Sequence, residues 1–226
     1  MRTKVYVDGY NLYYGCLKGT EHKWLDLYVL FKNWILPSSA PLETELVGIK
    51  FFTAPIQAKA AKADDSVSSQ ARYHQALKNR YSAEIEVVRG YYTMDTVNAK
   101  VVDLTNPERR FRECETTLVW KLEEKQSDVN LALHAYHDAI TSSVEQVVIV
   151  TNDTDIAPVV EMLKKHTSVT VGVVIPTRKH VRYPNGELTK HADWTRTHIT
   201  DEELAGSQLP PVVMGKRKPT IKPESW

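Results

Sequence analysis

The chain is poor in the features that announce several protein classes. It has two cysteines, Cys16 and Cys114, in 226 residues. They are far apart and form no CxxC pair, which argues against a cysteine-held zinc site and against a disulfide scaffold. Two reduced thiols are the simple reading, although one disulfide is open. No apolar run approaches the roughly 18 residues that a membrane helix needs. The apolar stretch at the N-terminus ends at Asp8, too early for a secretory signal. Charge of one sign is also missing: 29 Lys and Arg against 28 Asp and Glu leave a formal charge of +1. Bulk charge therefore neither demands nor excludes nucleic acid, and any such site must come from local clustering. No GxxxxGK[ST] or GxGxxG occurs, so no motif supports P-loop nucleotide hydrolysis or dinucleotide redox chemistry. The expected setting is the cytoplasm.

What is present is an ordinary globular mix, 42% hydrophobic and 25% charged. Residues 1–207 read as one domain and 208–226 as an extended, basic, Pro-containing tail with Lys216, Arg217, Lys218 and Lys222. Strands are expected at 3–7, 46–53, 85–92, 147–150 and 170–175, with a short edge strand at 195–199. Residues 97–104 are expected to pair back on the third strand, and 116–120 is strand-like. Helices are expected at 24–36, ended by Pro37; at 63–81, mostly exposed; from Asp128, with Val129, Ala132, Leu133, Tyr136 and Ile140 on one face; and at 154–165, with Ile156, Val159, Val160 and Leu163 inward. Strands alternating with helices favour an α/β fold with a parallel sheet flanked on both faces.

The carboxylates fall at strand ends. Asp8 follows the apolar Val5-Tyr6-Val7, and Asp153 and Asp155 follow Val147 to Val150. In open α/β sheets, sites form outside the carboxyl ends of strands where strand order reverses. Neighbouring first and fourth strands would bring Asp8 and Asp153 face to face. Each acid also has a structural reading. Asp8-Gly9 suits a turn, and Asp128, Asp153 and Asp155 suit helix caps. Gathered in one crevice, the acids would repel unless protons or cations compensate. Hard divalent ions take such oxygen ligands, and the matching chemistry is metal-assisted attack of water on a phosphodiester.

Val7-Asp8-Gly9-Tyr10-Asn11-Leu12-Tyr13, Glu124-Lys125-Gln126-Ser127-Asp128-Val129-Asn130-Leu131-Ala132 and Thr151-Asn152-Asp153-Thr154-Asp155-Ile156-Ala157-Pro158 resemble, in order, three signatures of the NYN domain family, a branch of the PIN-like nucleases. The resemblance implies a PIN-like three-layer fold with a central, mainly parallel sheet, and an acidic pocket binding Mg²⁺ or Mn²⁺. It implies a ribonuclease, cutting endonucleolytically. Asp8, Asp128, Asp153 and Asp155 would form the acidic quartet, Asn11 its polar partner and Thr151 its support. One departure is Asn152, where a glycine often stands; Asn tolerates a left-handed backbone, so the turn is expected to survive.

RNA, single-stranded or structured, would be the partner, with a homo-oligomer open and no membrane. Arg178, Lys179 and Arg182 follow the 170–175 strand and could meet phosphate; Arg109, Arg110 and Arg112 form a second basic group. Tyr10, Tyr13 and Tyr14 could stack on unpaired bases, or simply pack. His134 and His137 read as surface residues rather than a metal pair, and the Trp and Tyr of 24–35 as core. The competing reading is a non-catalytic RNA-binding or scaffold protein on a nuclease-like fold. A dehalogenase-type phosphatase would want a second Asp at position 10, where Tyr stands.

Overall fold

The computed structural model describes every residue except 62, 142 and 217, so Arg217 of the basic tail lies outside the described residues. The core is a six-stranded sheet in the order β3-β2-β1-β6-β7-β8, parallel throughout. Its strands are β1 (Arg2–Asp8), β2 (Glu45–Thr53), β3 (Ile85–Arg89), β6 (Gln146–Val150), β7 (Thr170–Val174) and β8 (Trp194–Arg196). β4 (Tyr91–Lys100) and β5 (Thr116–Lys125) form a separate antiparallel hairpin between β3 and the next helix.

The period of two along β1 and β6 divides the core. Val5, Val7, Val148 and Val150 face one cluster, with α1 (Gly9–Leu12, running on as a wider π-helical turn Tyr13–Leu17), α2 (Leu27–Val29), α3 (Leu36–Ser39) and α4 (Ser66–Arg80). Tyr6, Val147 and Ile149 face the other, with α5 (Ser127–Thr141), α6 (Ala157–His166) and α7 (Gly186–Thr189). Both faces are covered, which is why these short strands read as unbroken apolar runs. The short α8 (Asp201–Ala205) is held by a Thr200–Glu203 capping box. Leu209, Val213 and Trp226, from the segment after residue 207, pack with the first cluster. Leu209 and Val213 are buried, Trp24 Nε1 donates to Pro210 O at 2.9 Å, and β9 (Val212–Val213) pairs with β10 (Thr220–Ile221).

The structure corrects four local expectations. The third strand stops at Arg89, and 97–104 does not pair with it. Gly90 turns the chain away, and β4 takes β5 as partner from Tyr91↔Lys125 to Lys100↔Thr116. A side chain at Gly90 would stand 2.3 Å from Lys125 O, so the crossing needs glycine. The helix at 24–36 runs through Pro37 to Ser39, because the wide turn Leu30–Ile35 precedes a residue with no N–H to donate. The helix expected at 63–81 is shorter, Ser66–Arg80, and although much of it is exposed, Ser69, Tyr73, His74, Ala76 and Leu77 make one buried face. On α5 the buried residues are Ser127, Leu131, Ala135 and Asp138, whereas Val129, Leu133 and Ile140 face solvent. The polar Asp138 holds the inner face because Lys4, Lys50 and the Tyr6 hydroxyl meet it at 3.1, 2.8 and 2.8 Å.

Candidate functional site

β1 and β6 are hydrogen-bonded neighbours, and the strand order reverses between them. Their carboxyl ends open into a chamber of about 350 Å³. Asp8, Tyr10, Asn11, Tyr13, Tyr14, Asp128 and Asp153 line it, together with Tyr92, Leu122 and Glu124 from the hairpin.

Asp8 is buried at the end of β1. Its carboxylate caps α1, accepting from the Asn11 amide N–H at 2.9 Å and from Asn11 Nδ2 at 2.6 Å. Thr151 Oγ1, on the neighbouring strand's exit, donates to the same carboxylate at 2.8 Å and accepts from the Asp153 amide at 3.1 Å. Thr151 thus fixes both acid-bearing segments to one another. Burial pushes the Asp8 carboxyl above its ordinary range; its three hydrogen bonds pull against that, and the Glu124 charge adds to it. Asp153 caps the turn Thr154–Ile156, accepting from the Asp155 amide at 3.0 Å.

Asp128 enters from the first turn of α5. Gln126, just before it, takes φ 75°, which swings the chain from β5 into the helix. The residue is open to solvent, yet its carboxyl is pushed up to about 6. The first cause is desolvation at the chamber wall, followed by the charges of Asp8, Asp153, Glu124 and Asp155. Asp155 acts on Asp128 by charge but does not line the chamber.

Glu124 is a further acid that the strand-end argument passes over. It sits on β5, accepting from the Tyr92 hydroxyl at 3.0 Å and from Ser127 Oγ. Its place at the head of the second motif is the signal that could have found it; its origin on a hairpin outside the main sheet hid it. Among the described residues, none of Asp8, Glu124, Asp128, Asp153 and Asp155 forms an ion pair. All the donors are oxygen, and the negative charge is uncompensated, so their chemistry suits a hard divalent cation. Their spacing does not form a closed ligand set: among the described residues, no three or more His, Cys, Asp or Glu are grouped to hold a metal ion.

The expected substrate contacts separate. Tyr10 is 48% exposed at the chamber and lies 4.4 Å, ring to ring, from Tyr14; Tyr13 meets Tyr14 edge-on at 5.2 Å. Arg182 is close enough for its charge to act on the Tyr10 phenol. Arg178 faces Asp201 at 3.9 Å, and Lys179 is exposed. Arg109, Arg110 and Arg112 lie in the loop at the far end of the hairpin and line no part of the chamber. Asn152 does not take a left-handed backbone. Its side chain instead donates to Tyr183 O at 3.1 Å and accepts from the Asn185 amide at 3.0 Å, tying the 178–185 loop to the third motif. His134 is half-buried between Lys50 (3.1 Å) and Phe52, while His137 is exposed.

The NYN domain model matches residues 2–193, and the chain belongs to that family. A Pseudomonas putida protein (strain DSM 28022 / S16) named 6-hydroxy-3-succinoylpyridine 3-monooxygenase HspA is 53% identical over 236 residues, covering 100% of this chain and 75% of that protein. The crystal structure of a protein of unknown function from Vibrio parahaemolyticus is similar with a TM-score of 0.51 at 20% identity, covering 92% of this chain and 96% of the other. That likeness concerns the fold alone. No helix among the described residues is long and apolar enough to cross a membrane.

Proposed function

We propose that the acidic chamber hydrolyses RNA phosphodiester bonds, endonucleolytically and with Mg²⁺ or Mn²⁺. One observation carries the reading: at the reversal of strand order, carboxylates from β1, α5 and the exit of β6 line a single chamber, with none paired to a cation. A folded protein does not gather such repulsion for stability alone. Asp8, Asp128 and Asp153 would hold the ion, with Asp155 in an outer position and water completing the shell. When bound, a divalent ion lowers the pKa of a water and neutralises charge on the departing oxygen.

The chain's own residues have distinct parts. Asn11 and Thr151 hold the Asp8 carboxylate in one orientation; Asn11 cannot act as a base. Asp128 faces the chamber from the first turn of α5 and would complete the carboxylate set around the ion. Tyr10 and Tyr13 offer ring faces to unpaired bases. Arg182, and on the same loop Arg178 and Lys179, supply positive charge for phosphate. RNA, single-stranded or structured, is the partner, in the cytoplasm; residues 1–207 carry the chemistry and 208–226 are accessory.

The test is a panel of single- and double-stranded RNAs with Mn²⁺. The wild-type chain should cut, and Asp153→Asn should not while keeping its thermal stability. Removal of charge at Arg178 and Lys179 should flatten the dependence of affinity on salt.

A second reading rests on the 53% identity to the Pseudomonas putida protein, which runs along this entire chain. It makes the protein an oxygenase of a hydroxypyridine. Oxygen uptake that depends on 6-hydroxy-3-succinoylpyridine and on an added two-electron donor, with no RNA cleavage, would establish it in place of the first.

A further inference from the structure

A second cavity, of about 320 Å³, adjoins the acidic chamber. The two share Tyr10, Tyr13, Tyr14, Tyr92 and Glu124, and the second extends the other way to Phe51, Tyr73, His74 and Trp226. Its far walls are rings. Phe51 meets His74 and Tyr73 edge-on at 5.8 and 6.3 Å, and Tyr73 meets Trp226 at 5.4 Å.

Several polar groups on this wall are engaged. Gln70 donates to Ala54 O at 3.0 Å and accepts from the Ile56 amide at 2.9 Å. The Tyr73 hydroxyl donates to Leu25 O at 2.9 Å, and Lys23 Nζ to Ser225 O at 2.9 Å. Asp65 accepts from Ser225 and Ser69.

His74 differs. It is 4% exposed, yet neither ring nitrogen has a hydrogen-bond partner among the described residues. Nor is either nitrogen sealed in protein, since the only sealed, partnerless side-chain atoms among those residues are Ser207 Oγ and Gln208 Oε1. Both nitrogens are therefore reachable from the cavity that the residue lines, and free to meet polar atoms of a ligand there. Burial, with Arg89 and Lys78 adding, holds the imidazole down to about 4, and hence neutral. A neutral imidazole presents one donor and one acceptor.

A cavity of this size, with aromatic rings along its far wall and the neutral His74 imidazole among them, suits a planar ring that carries complementary nitrogen or oxygen atoms. We propose that this cavity binds a planar nitrogen heterocycle, held between the aromatic walls and hydrogen-bonded by His74. The ring can come from two sources: a nucleobase of a strand lying across the acidic chamber, or a free hydroxypyridine.

The experiment is calorimetric titration of the full chain, in chelator and without divalent cation, so that it reads the cavity rather than cleavage. The probes are adenosine, uridine and 6-hydroxy-3-succinoylpyridine, with ribose 5-phosphate and succinate as ringless controls. At least one ring compound should bind and the controls should not. His74→Leu, which keeps volume but loses both hydrogen bonds, should weaken binding about tenfold or more. Trp226→Ala, at the end of the described chain, should weaken it comparably through lost ring contact. Nucleosides binding alone would identify the RNA source, and the pyridine binding alone the free molecule. No binding by any ring compound, or affinity unchanged in both variants, would overturn the proposal. Failure of RNA cleavage would not, because the readout needs neither cation nor phosphate.

Discussion

Desolvation at the chamber wall and the surrounding carboxylate charges push the Asp128 carboxyl up to about 6. A carboxyl raised in the folded state binds more protons folded than unfolded between roughly pH 4 and 6. Its contribution to stability is therefore complete below the unfolded value and lost as pH rises through about 6. Asp128→Asn should be the more stable protein at pH 7.5, by about 1 kcal/mol after screening at an open carboxylate, or about 2–4 °C in Tm. Near pH 4 the two should melt together. Thermal scans across that range check the sign. Thr151 gives a second prediction at this scale. Its hydroxyl is fully buried and joins Asp8 to the Asp153 amide, so Thr151→Val should cost about 1–3 kcal/mol in urea unfolding. Single residues were legible in the sequence where a strand ended in an acid. Glu124 was not, because nothing in its own run of residues tells that the hairpin folds back to the strand ends.

Among the elements, α1 is held by an unusually close approach. A Cβ at Gly15 would stand 1.7 Å from Pro176 O, against backbone that cannot yield cheaply. Gly15→Ala should destabilise by about 3 kcal/mol or more, with a matching fall in the urea midpoint. The central strands and α6 could be read directly, since burial on both faces leaves apolar runs and a regular inward stripe at Ile156, Val159, Val160 and Leu163. Two elements misled for opposite reasons. On α4 the buried face includes Ser69 and His74, so hydrophobicity understated it. On α5 an apolar stripe at Val129, Leu133 and Ile140 points outward, and the inward face carries Asp138. Periodicity locates a face; it does not say which face meets the core. The hairpin strands β4 and β5 alternate weakly because they pair with one another outside the main sheet.

At the scale of the molecule, the sheet order places the acids. β1 beside β6 is a non-local pairing that no local pattern encodes, yet the apolar character of both strands marks them as central. The segment after residue 207 is bound to this body by Leu209, Val213, Trp226 and the Trp24–Pro210 hydrogen bond. Truncation after Ser207 should therefore cost about 3–5 kcal/mol of stability from lost apolar burial, a change visible in any melting curve. The direct test of the central claim is cleavage of the RNA panel with Mn²⁺ by the wild-type chain beside Asp153→Asn. Fragments with wild-type protein, none with the variant, and equal melting temperatures for the two are the predicted result. Equal cleavage by both, or uncut RNA with folded wild-type protein, would contradict it.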